Sequence, residues 1–115
     1  MGPIEQAQSI PPTDRELMVQ LKRLVQELAP GARLFQYGGA ARGAREPDSD
    51  YDVLILLERA LSPKEVDEIR DRIYDMELAR EVVISPVFKS REEWNAPANV
   101  VTPYYRAVSK EALEL

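Results

Sequence analysis

Apolar positions along the chain recur with two different periods, and the switches between them mark out the elements. Leu17, Leu21, Leu24, Val25 and Leu28 are spaced as on one helix face. Ahead of them, Thr13-Asp14-Arg15-Glu16 has the form of a capping box, a hydroxyl followed three residues later by a carboxylate. Pro30-Gly31 stops this helix. Arg33 to Tyr37, with Leu34 and Phe35 at its centre, reads as a short strand. Tyr51 to Leu57 is almost continuously apolar, as in a strand buried on both faces. Ser62-Pro63-Lys64-Glu65 is a second capping box with Pro at the favoured first position, and Val66, Ile69, Ile73 and Met76 give the following helix an apolar stripe. Glu81 to Phe88 predicts a third strand. Pro86 has no N–H for a ladder bond, so this strand belongs at a sheet edge or is bulged. Ser90-Arg91-Glu92-Glu93 starts a turn that presents Trp94, and Thr102-Pro103 starts a last helix running to about Leu113.

These segments predict an α+β domain, a three-stranded sheet covered by helices. The domain is expected over 13–115, behind a polar, Pro-containing and flexible tail over 1–12. There is no internal repeat. At 115 residues, 44% hydrophobic and 30% charged, the chain supplies one core.

Composition then removes whole classes of chemistry. With no cysteine and no histidine, disulfides, thiolate sites, Ser-His triads and His-ligated zinc are excluded. A metal site here must use oxygen ligands, which points to magnesium, manganese or calcium. The net charge of -5 and pI near 4.8 argue against a nucleic-acid partner. No apolar run approaches the roughly 20 residues of a membrane helix, and Met1 to Pro12 lacks the pattern of a signal peptide, so the cytoplasm is the expected location.

The candidate chemistry lies between the first two strands. Asp50 and Asp52 sit two apart where the second strand starts, so their side chains leave one face. Paired carboxylates repel, and a divalent cation offsets that repulsion. Asp48-Ser49-Asp50 also suits an ordinary polar turn. What changes the picture is Gly38-Gly39-Ala40-Ala41-Arg42-Gly43, a small-residue loop that follows the first strand and lets backbone approach a phosphate. Arg42 has the reach for phosphate oxygens. Trp94, Tyr104 and Tyr105 read as core or interface anchors, and the mixed charges from Asp67 to Arg72 as a solvated helix face.

With its glycine loop and Asp48-Ser49-Asp50-Tyr51-Asp52, the sequence resembles the minimal nucleotidyltransferases of the DNA polymerase beta superfamily. Their pattern is Gly-Ser, ten residues, then Asp-x-Asp, and ten residues separate Gly39 from Asp50. The resemblance continues through Ile84-Ser85-Pro86-Val87, Glu92-Glu93-Trp94 and Thr102-Pro103-Tyr104-Tyr105-Arg106. It implies a mixed sheet of strand order 1-2-3. It implies Mg2+ or Mn2+ on Asp50 and Asp52, and ATP or another nucleoside triphosphate held by Gly38, Gly39, Arg42 and Ser49. It also implies a helical HEPN-type partner, often in a toxin–antitoxin pair, whose hydroxyl receives AMP.

Gly39 stands where the family has serine. A third carboxylate, expected on the third strand, aligns with Val83, and Glu81, two residues earlier on the predicted strand, is the acidic candidate for that catalytic role. The alternative is a nucleotidyltransferase-fold module whose site has decayed and which works by binding a partner protein. Self-association is open on the sequence.

Overall fold

The structure is a computed structural model that describes residues 2–3, 12–38 and 50–115. Its elements in chain order are β1 (Gly2–Pro3), α1 (Pro12–Leu28), β2 (Arg33–Tyr37), β3 (Tyr51–Leu57), α2 (Pro63–Arg80), β4 (Ile84–Ser90), α3 (Arg91–Asn95), α4 (Pro97–Val100), α5 (Pro103–Glu111) and β5 (Leu113–Glu114). The sheet order is β1-β5-β2-β3-β4. Its three long strands lie in the expected order, antiparallel from β2 to β3 and parallel from β3 to β4.

Two features extend the three-stranded sheet that the sequence predicts. Leu113–Glu114 leaves the last helix and pairs antiparallel with β2, and Gly2–Pro3 pairs parallel with it in turn. So residues 2–3, expected in a loose tail, belong to the sheet. Two-residue strands have no periodicity of their own, and only pairing defines them. Arg33 reinforces the β2–β5 seam through paired 2.8 Å bonds from Nε and Nη2 to the Glu114 carboxylate.

Alternation along β3 fills both faces. Tyr51, Val53, Ile55 and Leu57 join Leu34 in a core with Leu17, Met18, Leu21 and Val25 of α1 and Ile69, Ile73 and Met76 of α2. Leu54 and Leu56 face the other way and pack with Phe35, Trp94, Val108 and Ala112. The expectation of a strand buried on both faces holds. Trp94 is a core residue, carried by α3 behind the Ser90–Glu93 capping box.

The helix starts obey local chemistry with one shift. Ser62 caps α2 with Pro63 in its first turn, and the reciprocal bonds with Glu65 are both present. The first helix begins at Pro12, so Thr13 lies within its first turn rather than capping it. Proline's fixed φ suits that first turn.

The third strand departs from the sequence reading at its start. Helix α2 runs through Arg80, and Glu81 closes it in the left-handed conformation, φ 54 and ψ 46. The N–H groups of Glu81 and Val82 both bond the Glu77 carbonyl. The apolar run from Val82 onward therefore serves two elements, and Glu81 lies on neither face of β4.

At the sheet edge, β4 offers few outward N–H groups for further pairing. Tyr51 N–H bonds the Val83 carbonyl, so the odd residues of β4 pair with β3 and the even ones point outward. The Ile84 N–H is taken by the Glu77 carboxylate at 3.0 Å, Pro86 has none, and the Ser90 N–H is taken by Glu93 at 3.1 Å. Such blunting is how edge strands avoid unwanted partners.

A left-handed conformation at a residue other than glycine costs on the order of 1–2 kcal/mol. Glu81→Gly is therefore expected to raise stability by about 1 kcal/mol, read as a higher denaturant midpoint at unchanged slope. No gain would mean that the Glu81 side chain makes a compensating interaction.

Candidate active site

Strand directions bring three strand ends together. β2 finishes at Tyr37, and β3 and β4 both begin at the same end of the sheet, with Tyr37 opposite Asp52 and Asp52 opposite Ser85. Asp52 lies on the Phe35–Leu54–Leu56 side of the sheet, one step beyond the apolar cluster. Asp50 is exposed just ahead of β3, and Asp52 is half-buried.

Gly38 closes over this point. Its φ is +77, and a Cβ there would stand 2.7 Å from Asp52 Oδ2. The positive φ favours glycine, and a side chain there would push the Asp52 carboxylate aside, so the main chain lies close to that carboxylate. Of the other nucleotide-binding candidates, Gly39, Arg42 and Ser49 lie outside the described residues.

The structure brings Gly38, Asp50 and Asp52 together but not Glu81, which is exposed at the end of α2. Val83, where a third carboxylate aligns, is 53% exposed. Among the described residues no three acidic side chains gather as a metal-binding group.

A hydroxyl takes part instead. Ser85 Oγ donates to Asp50 Oδ2 at 2.6 Å, a short charge-assisted bond. Sequence reading placed Ser85 within the resemblance but gave it no role, because its meaning comes from the parallel register opposite Asp52. The available signal was a serine locked ahead of a proline near the start of a strand.

Aromatic groups border the same face. Tyr104 O–H donates to the Tyr37 hydroxyl at 3.1 Å, and the two rings meet edge to face. The Tyr104 phenol is pushed well above its ordinary range by burial first, then by Tyr37, with a further contribution from Asp52. It therefore stays a neutral donor. Trp94 packs behind it against Tyr104 and Tyr105.

Asp52's carboxyl is raised from its ordinary value, first by burial and then by the negative charge of Asp50. A divalent cation relieves both causes, and its charge matches the two carboxylates. The donor set is all oxygen and partly solvated, which fits Mg2+ or Mn2+.

The family of the chain follows from comparison with known proteins. A nucleotidyltransferase domain profile matches residues 18–111, and the chain belongs to that family. No curated protein matches it in sequence. One similar structure is a toxin–antitoxin crystallised with AMP-PNP, at TM-score 0.58 and 15% identity, covering 86% of this chain and 69% of that one. Another is a mutant of the toxin–antitoxin MntA-HpeT, at TM-score 0.59 and 12% identity, covering 84% and 69% of the two chains. At these identities the likeness shows the fold, and that fold is the one the minimal nucleotidyltransferase resemblance implies.

The raised Asp52 carboxyl makes a prediction with a definite sign. The folded protein holds this proton more tightly than the unfolded chain does. Asp52's contribution to stability is thus fully present below the ordinary carboxyl range and is lost as pH rises through the raised value. In divalent-free buffer at pH 7, Asp52→Asn should melt no lower than the parent and up to about a few degrees higher. The gap should close as the pH falls towards about 3. Thermal melts across that range test it, and a clearly less stable variant at pH 7 would make Asp52 a structural carboxylate.

Proposed function

We propose that the protein transfers a nucleoside monophosphate, AMP from ATP, to a hydroxyl of a helical HEPN-type partner and acts as an antitoxin-like component in the cytoplasm. The observation that carries this reading is the meeting of Gly38, Asp50 and Asp52 at one end of the sheet in a nucleotidyltransferase-family domain. The similar folds support it, being toxin–antitoxin assemblies, one of them with an ATP analogue.

In this reading, Asp50 and Asp52 hold Mg2+ or Mn2+, which supplies charge neutralisation at the phosphates. Gly38 and Gly39 offer backbone N–H groups to the triphosphate, with Arg42 and Ser49 as further donors. The Tyr37–Tyr104 pair walls the face beside Asp52. A hydroxyl oxygen of the acceptor bonds to the α-phosphorus, the bond to pyrophosphate breaks, and a proton is released. No role falls to Glu81, which caps α2 instead of standing on β4.

The second reading is a partner-binding module without transferase activity. It is favoured by the site having two carboxylates among the described residues rather than three.

Calorimetric titration with ATP, with and without Mg2+, separates the two readings. The parent is expected to bind ATP only with Mg2+, and Asp50→Asn/Asp52→Asn to lose at least about tenfold in affinity. Equal ATP binding by parent and double variant would remove these aspartates from the site. Absence of ATP binding, both alone and in complex with the partner, would favour the binding module.

A further inference from the structure

The hydroxyl of Ser85 has no assigned part in the chemistry above, yet its surroundings fix it from several sides. The parallel register places it opposite Asp52, and alternation turns it to the same face, away from Ile84 in the α1–α2 core. Immediately before it, the Val83 carbonyl accepts from Tyr51 N–H at 2.9 Å and the Ile84 N–H donates to Glu77 at 3.0 Å. Immediately after it, Pro86 restricts the Ser85 backbone to extended conformations. Helix α2, strand β3 and the proline ring together set where this oxygen stands.

Asp50 is fixed much less. It precedes the first residue of β3 and is exposed. A carboxylate in that position rotates freely unless something holds it. The 2.6 Å bond from Ser85 holds Oδ2 and so limits the rotation of the carboxylate. Asp52 is steadied by its place inside the β2–β3 ladder and by the close approach of Gly38. The pair needs both members oriented, because a cation shared between two carboxylates gains little from one that wanders.

We propose that Ser85 is a positioning residue of the carboxylate pair: its hydroxyl sets the Asp50 carboxylate so that Asp50 and Asp52 hold one divalent cation together. The inference rests on the nucleotidyl-transfer reading and deepens it. It gives Pro86 a second role beyond blunting the sheet edge, since the proline confines the residue that bonds Asp50. It also makes Glu77 a support for the site at one remove, through Ile84.

The test is Mn2+ binding to the full chain by calorimetry and by the paramagnetic resonance of the free ion, with the parent, Ser85→Ala, Ser85→Thr and Asp50→Asn. Loss of an orienting partner typically costs about 10–100-fold in metal affinity. Ser85→Ala is expected to weaken Mn2+ about tenfold while melting within about 2 °C of the metal-free parent, as a half-exposed position allows. Ser85→Thr keeps the hydroxyl and is expected to restore binding to within about threefold of the parent. A residue that only supports the strand would lower the melting temperature and leave the affinity alone.

The proposal is overturned if Ser85→Ala binds Mn2+ as the parent does while Asp50→Asn does not. It is equally overturned if Ser85→Thr is as weak as Ser85→Ala, since the hydroxyl would then not be the active feature. If the parent itself binds no Mn2+, with or without ATP, the metal-dependent transfer reading falls and takes this inference with it.

Discussion

Pairing of β3 on both of its sides is the constraint from which the site follows. An antiparallel neighbour puts the end of β2 beside the start of β3, and a parallel neighbour puts the start of β4 there too. Antiparallel strands can join by a direct loop, whereas a parallel pair needs a crossover, here helix α2. One end of the sheet therefore receives Gly38, Asp50, Asp52 and Ser85 from three separate stretches of chain. The burial of Val53, Leu54 and Ile55, all at 0% exposure, keeps β3 in the middle of the sheet between two apolar layers.

Against that apolar strand, two carboxylates at its start are costly. Burial and mutual repulsion both raise Asp52, and a glycine with positive φ presses main chain against it. Elsewhere the same chain places acids where they are favoured. Glu65, bonded to Arg59 and to the Ser62 backbone, is lowered to about 2, and Glu93 is lowered by the backbone and hydroxyl of Ser90. The contrast separates acids that complete helix starts from a pair held together against its own repulsion. Local sacrifice of stability of this kind concentrates where binding or catalysis needs it.

Most of the architecture was legible from sequence because it rests on local rules. The spacing from Leu17 to Leu28, the unbroken run from Tyr51 to Leu57 and the Ser62 capping box each name their element without reference to anything distant. The pairing of Asp50 with Asp52 was legible for the same reason, since strand alternation alone puts them on one face. Pro86 was legible as an edge residue because it lacks an N–H. Glu81 was misplaced because an apolar run does not reveal where a helix cap ends and a strand begins. That boundary depends on how far α2 extends, and on the Glu77 carbonyl gathering the N–H groups of Glu81 and Val82. The strands at Gly2–Pro3 and Leu113–Glu114 were invisible, since each is defined by its neighbour.

By itself, then, the sequence determined the long helices and the three long strands, the two-faced core, the oxygen-only chemistry left by the absence of cysteine and histidine, and the carboxylate pair. All of these depend on residue type and on spacings of a few positions. Tertiary structure alone decided which groups meet the pair. Ser85 stands 35 positions from Asp50 and touches it because of a parallel register. Tyr104 reaches Tyr37 across 67 positions because α5 packs on the sheet. Glu81, nearer in sequence to Asp50 than Tyr104 is, ends up as an exposed helix cap rather than a strand residue. Proximity across such distances is set by how strands pair and helices cover them, and no local pattern encodes it.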